Sequence, residues 1–489
     1  MRLFTFFVLL LSMASAYAQI GVNTANPHPS AALEIQSGNT QRGVLIPRMT
    51  TLERNSISNP AESLLVFDTT EKAFFYYNTA NNSWLKLAND LSSKRDNFKI
   101  VKSAADLAPE LAAGGGSSYL LDSNKYYEIN GTIALAFPIN LNDAYVSGLD
   151  ANEDVLSFPG GTVFRGNTGG SIRNITITGA RAFDMTGPGA SSNTSLLIQN
   201  TIVQNTSISV GNISGYGLYF GNIVNFINNA NGIIYSNIGN LLLNTQAWPD
   251  SNNGTFETFT GTFGHIQKAS GFSNVNGNDI ALDVSSNTLS VGTGILQGTV
   301  FSGTTSAASG VIKGYTTGAY PGYYFSNAWT VDAPGTPRES DDAATGDINL
   351  SAAVGTGFTT TFTTTGTAGR RKITGTTTSN NLFRFTRDGD NIITYRGNKP
   401  RYFQVAGSVS YQGNSDLTII LYIAKNGVVI TETKVYGRGT TGLFTTSGIL
   451  ALPIIGTVQL KKDDYLEIWA ERYEGSGNMQ TISLNLTAR

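Results

Sequence analysis

From residue 97 to residue 331 the apolar positions fall in short runs. "KYYEINGTIAL", "SIRNITITGA", "SLLIQNTIVQNTSISVGNISGYGLYFGNIVNFINNANGIIYSNIGNLLLNTQAW" and "NDIALDVSSNTLSVGTGILQGTVFSG" alternate Ile, Leu or Val with polar residues over three to five positions. Each run stops at Gly or Asn. Such alternation marks strands, and almost nothing keeps the 3.6-residue period of a helix. Short strands at close spacing fit a chain that winds around one axis, stacking Ile, Leu and Val inward and turning at Asn. The expectation is a right-handed parallel β-helix; coils of about twenty residues or slightly more would give roughly ten turns.

Asn tolerates the left-handed backbone of tight corners, and stacked Asn side chains can hydrogen-bond from coil to coil. Asn200, Asn205, Asn212, Asn222, Asn225, Asn228 and Asn231 are the candidates for these corners or ladders. Exposed Asn that binds sugar is the alternative for some of them.

The pattern differs on either side. Residues 19–95 give a small β-rich module with strand candidates "AALEIQS" and "GVLIP". A single helical turn carrying Glu53 and Arg54 follows, capped by Thr50 or Thr51 and ending before Pro60. Next come three strands turning at Asp68-Thr69-Thr70 and at Asn81-Asn82. A unit of this size buries too little by itself and is expected to need a partner chain. Residues 332–345, rich in Pro, Gly and charge, read as a linker. Residues 346–489 carry eight or more alternating strands and a tight Lys425-Asn426-Gly427 hairpin, the pattern of a two-sheet jelly-roll head.

Composition narrows the function classes. Charged residues make up 13% of the 489 and the net charge is −2, about half the charged content usual for soluble domains. No basic stripe exists for nucleic acid or anionic lipid. The absence of cysteine from the sequence excludes disulfides, thiolate metal sites and a cysteine nucleophile. Residues 1–18, with Arg2, an apolar run and Ala16-Tyr17-Ala18, read as a secretory signal, so export to the cell surface, the extracellular space or the periplasm is expected. No later apolar run is long enough to insert in a membrane.

Two resemblances join these regions. "IGVNTANPHPSAALEIQS", "RGVLIPRMTTLERNSISNPAESLLVFDTTEKAFFYYN" and "SWLKL" resemble the front segment of many phage tail-fibre proteins and of exported surface proteins of Bacteroidetes-type bacteria, whose role is attachment. "NNLFRFTRDGDNIITYRGNKPRYFQVAGSVSYQGNSDLTIILYIAKNGVVI", "LKKDDYLEIWAE" and "ISLNLTAR" resemble the tumour-necrosis-factor and complement-head type of jelly roll that ends bacterial and phage fibres. That resemblance implies a homotrimer.

Catalysis finds little support. Glycoside hydrolysis needs two facing carboxylates; between residues 155 and 331 the acids are Asp184, Asp250, Glu257, Asp279 and Asp283. None forms an adjacent pair, and capping is the plainer role for Asp283. Neither His28 nor His265 lies in a metal-ligand spacing, "RDGDN" reads as a β-turn rather than a calcium loop, and no cofactor is implied. Recognition remains. Sugar sites place aromatic faces beside amide and charged groups. The densest aromatic run, "GYTTGAYPGYYFSNAW", with Tyr320, Tyr323, Tyr324 and Trp329, falls where the helix should end and reads first as a hydrophobic cap over the last coil; ligand contact by Tyr323, Tyr324 and Trp329 is the alternative. Head loops offer Arg438, Arg472 and Tyr473. The expected function is non-enzymatic adhesion to a surface glycan or protein; the alternatives are a receptor-binding phage tail fibre and a polysaccharide lyase or hydrolase built on the β-helix.

Overall fold

The computed structural model describes residues 19–37, 43–87, 97–439 and 448–489. The expected secretory signal lies outside them, as does most of the loop that follows Arg438. The chain is all-β, with 51% strand and 5% helix, and divides into two units, residues 1–96 and 97–489.

In the first unit the helical turn is Thr51–Asn55, capped as the sequence predicts. Thr50 Oγ1 accepts the Glu53 N–H while the Glu53 carboxylate accepts the Thr50 N–H, so the two satisfy each other's free donors. The turn aims Arg54 inward, over the Phe75 ring at 3.8 Å and onto Asp68 at 3.1 Å. The strands Leu65–Asp68, Ala73–Asn78 and Ser83–Lys86 form the expected antiparallel meander. "GVLIP" is not a strand. Pairing begins only at Arg48–Met49, parallel to Phe67–Asp68: Pro47 has no N–H to give, and contributes its carbonyl to the Phe67 N–H. Leu45 and Leu52 are each 81% exposed, and Ile20, Leu33 and Val44 more than half exposed.

In the second unit the strands from Phe98 to Asp332 form one continuous parallel sheet wound as a β-solenoid of about eight turns. Ser195 pairs with Leu218, Leu218 with Asn240, Asn240 with His265 and Ile295 with Thr330. Steps of 23 and 22 residues, like the 19 from Tyr126 to Tyr145, fit the expected coil, and the longer ones, 25 and 35 residues, leave fewer turns than the expected ten. One corner repeats down the axis: Asn174, Asn200, Ile223, Thr245 and Ser270 have φ between 47° and 59°, and Gly298 continues the column at 68°. Asn200 donates to Asn174 and Asn244 to Asn222. Asn205 and Asn228 are also left-handed, and Asn231 Oδ1 accepts the N–H groups of Gly232 and Thr255. Asn212 and Asn225 instead lie within strands. The ladder with the deepest burial runs through two residues outside the predicted set: Asn229 Oδ1 accepts from Thr206, and Asn229 Nδ2 donates to Asn252 Oδ1 at 2.9 Å.

Inward side chains stack into the core, with Trp248 lying flat on Phe256 at 4.6 Å. Two charges are buried among them. Lys268 meets Glu257 at 3.0 Å, both side chains 1% exposed, with the ammonium 5.1 Å from the centre of the Phe256 ring. A helix, Ala108–Ala113, escaped the sequence reading. Its Glu110 is held by Lys99 and Tyr127 at the first coils.

Beyond the solenoid, two antiparallel sheets enclose one core. The first runs in the order Gly346–Ser351, Met479–Ala488, Arg401–Gln412, Ile449–Leu460; the second runs Phe385–Gly389, Ile392–Tyr395, Tyr465–Glu474, Thr418–Lys425. Leu350, Phe403 and Leu484 of one face Phe385, Leu421 and Ile468 of the other. Asn426 and Gly427, both with positive φ, make the predicted two-residue hairpin. "RDGDN" is likewise a hairpin turn, with Gly389 paired to Ile392. The segment read as a linker is packed into the fold instead. Glu339 bridges back to Val331 and is buried with Ser340, since its carboxylate accepts the Tyr324 and Phe325 N–H groups.

Candidate functional site at the junction of solenoid and sandwich

The 35-residue last coil carries the aromatic run, and its chain turns sort the rings. Tyr320-Pro321-Gly322-Tyr323 is a β-turn, closed by the Tyr323 N–H on the Tyr320 carbonyl at 3.0 Å with Gly322 at φ 82°. Proline second and a positive-φ glycine third are what a type II turn requires. It presents Tyr320 and Tyr323 to the sandwich. Tyr323 stacks on Phe383 at 4.0 Å, and Tyr320 meets the same ring edge-on at 5.4 Å. Burial raises the proton affinity of both phenols, so each stays a neutral hydrogen-bonding hydroxyl.

The remaining rings face the other way. Phe325 and Trp329 enter the solenoid core, where the indole N–H donates to the Tyr315 hydroxyl at 2.9 Å. Trp329 is 1% exposed. Its burial fits the hydrophobic cap that the sequence favours for this run and takes it out of the ligand contacts, since the ring covers the last coil where a further coil would supply an apolar neighbour. Tyr324 packs half-buried against the same core.

Arg384 locks the two parts together. Buried and left-handed at φ 57°, it donates to the carbonyls of Asn327 and Trp329 at 2.7 and 2.6 Å and pairs with Asp341 at 3.5 Å. Beside it opens a cleft of about 1270 Å³. Tyr320, Tyr323, Thr378, Asn380 and Asn381 are among the residues that line it. Asp347 accepts the N–H groups of Asn380 and Asn381 at 3.1 and 2.7 Å, which pins their backbone while both residues stay exposed. Arg387, Arg396 and Lys462 complete the rim. Rings beside amides and hydroxyls suit a pyranose, whose apolar face covers a ring while its hydroxyls bond the polar neighbours.

Of the residues singled out from sequence, Tyr320 and Tyr323 line this cleft, while Tyr324, Trp329, Arg438, Arg472 and Tyr473 do not. Arg438 and Tyr473 come together elsewhere, on the second sheet, where Thr418 pairs with both Arg438 and Glu474. Tyr473 is the extra residue of a β-bulge and stands edge-on to Tyr436 at 5.5 Å. Arg472 turns back onto the Gly477 carbonyl at 3.0 Å. Sequence reasoning missed Asn380, Asn381, Arg387, Arg396 and Lys462. The visible signal was four basic residues among polar ones in "NNLFRFTRDGDNIITYRGNK", but only the fold brings them to Tyr320.

The solenoid acids are occupied in different ways. Asp184 pairs with Arg165, and Asp283 with Lys313 and Ser285. Asp279 accepts the Gly254 N–H through one oxygen. Glu257 is enclosed with Lys268, and burial raises its proton affinity against the pull of that ammonium.

Residues 21–101 match the family described as a phage tail like trimerisation region. The match supports assembly as a homotrimer, and with the β-solenoid it gives the chain the parts of a fibre-like protein. No curated protein matches the chain.

Proposed function

We propose that the chain is an exported, homotrimeric recognition fibre that binds a surface glycan at the cleft between the last coil and the sandwich. The trimerisation match at residues 21–101 supports the assembly, and the reading of residues 1–18 as a leader supports export. The strand orders of the two sheets support the jelly-roll reading of residues 346–489. In this account residues 19–95 attach, residues 97–331 space and the C-terminal region binds.

One observation carries the binding reading: Tyr320 and Tyr323, set by a hydrogen-bonded turn, line one cleft together with Asn380 and Asn381. A glycan array probed with the whole protein tests it. Binding should disappear when Asn380 and Asn381 are both changed to Ala while the melting temperature holds. Binding that survives this change but is lost in Tyr473→Ala would move the site to the outer sheet face.

A receptor-binding tail fibre of phage type is the second reading, favoured by the trimerisation match. N-terminal sequencing of the protein from its native host separates the two. A start near Gln19 supports export by a cell, and an intact Met1 supports phage-type assembly in the cytoplasm.

A further inference from the structure

We infer that the glycan taken by the junction cleft is acidic, with its carboxylate met by Lys462 and Arg387. The inference rests on the cleft being the recognition site. Lining residues include three cations and no Asp or Glu. Lys and Arg offer only donors, so the rim asks for a ligand rich in acceptors. Hydroxyls of a neutral sugar would also need protein acceptors, and the lining side chains supply only amide and hydroxyl oxygens.

The three cations differ in what they have free. Arg396 is committed: it pairs with Asp388 and Asp463 and donates to Thr386 Oγ1 at 2.9 Å. Its guanidinium is a fixed wall. Arg387 is exposed and, among the described residues, pairs with Asp390 alone, at 3.6 Å; that carboxylate also accepts the Thr377 N–H at 3.0 Å. The Lys462 ammonium makes its one described contact with a neutral group, Asn398 Oδ1, at 3.5 Å. The other acids nearby are engaged. Asp341 accepts the Asn398 and Lys399 N–H groups and pairs with Arg384, and Asp463 is held by Arg396. Two rim cations therefore stand against one loosely placed acid. A planar guanidinium and a mobile ammonium together suit a carboxylate on a sugar ring, with Thr378, Asn380 and Asn381 left for its hydroxyls.

The test uses the full chain and oligosaccharides containing galacturonate, glucuronate or sialate, each beside its carboxyl-reduced counterpart. At least one acidic member should bind, and reducing its carboxyl should weaken binding about tenfold or more, the scale of a lost charge-assisted contact. Arg387→Gln and Lys462→Gln should each weaken the acidic ligand, leave its reduced form unaffected and keep the melting temperature. Raising the salt concentration should weaken the acidic ligand alone, since these are exposed charges. Equal affinity for acidic and reduced forms, with binding still lost in the Asn380 and Asn381 double variant, overturns the carboxylate inference and leaves the cleft reading standing. Binding of no member, or binding indifferent to every one of these substitutions, overturns both.

Discussion

The N-terminal unit and the solenoid face the same problem, hiding apolar side chains in a charge-poor chain, and they solve it in opposite ways. In the solenoid each coil is covered by its neighbours, so Leu196, Tyr219, Leu241 and Ile266 are all essentially buried. The unit of residues 19–87 has no such stack. It buries Val66, Phe75 and Tyr77 around Arg54 and Asp68, and leaves Ile20, Leu33, Leu45 and Leu52 in water. Repetition makes a core out of a single chain. A short meander leaves its apolar surface for other copies, in keeping with the trimerisation match.

The contrast breaks most visibly in the solenoid core. Trp248→Ala removes a ring stacked between coils and should destabilise residues 97–489 by about 3–5 kcal/mol, read as a lowered denaturant midpoint with oligomeric mass unchanged. Lys268→Met should be nearly as harmful, about 3–5 kcal/mol, because it strands the Glu257 carboxylate in the core. Adding Glu257→Leu should recover most of that loss, and a double-mutant cycle by chemical denaturation measures the coupling.

The next effect depends on pH. Burial lifts the Glu339 carboxyl to about 7 from its ordinary 4.5. Between those two values the folded state holds a proton that the unfolded state releases. Its stabilisation is therefore complete below about 4.5 and fades as the pH rises to 7, a loss on the order of 3 kcal/mol. Unfolding midpoints across that range should fall for the native chain and change less in Glu339→Gln.

The smallest effect on folding belongs to the N-terminal unit. Leu45→Asp with Leu52→Asp should alter unfolding by no more than about 0.5 kcal/mol, as expected of exposed positions. The same pair should still reduce the mass by light scattering from three copies towards one. A large loss of stability with trimers intact would reverse the comparison between the two units.

What the sequence revealed follows the range of the interactions. The Thr50 cap, the Asn426-Gly427 hairpin and the left-handed Asn200, Asn205 and Asn228 are set within a few residues, and all were legible. Trp329 and Tyr323 were recognised as members of one aromatic run, but their opposite directions depend on a turn and on Phe383, sixty residues further on. Glu257 and Lys268 face each other across one coil from different strands, Asn229 and Asn252 join successive coils, and Arg384 with the Trp329 carbonyl joins the sandwich to the solenoid. Coil length varies from 19 to 35 residues along the ladders, so no fixed spacing announces which residues will be stacked. The candidate cleft was legible only on its solenoid side, because its polar side comes from loops that conform to no repeat.

The left-handed corner running from Asn174 to Gly298 accepts amide, hydroxyl, branched aliphatic and no side chain at all, each at nearly the same φ. Backbone geometry defines that position, and residue identity is free to drift around it. Excising or duplicating one such repeat, from a corner to its successor, would leave the flanking ladders in register and change the separation of their ends by a single strand spacing, about 4.8 Å. The length of the solenoid is thus adjustable in uniform increments by gene rearrangement alone, with no need to redesign its first or last coil.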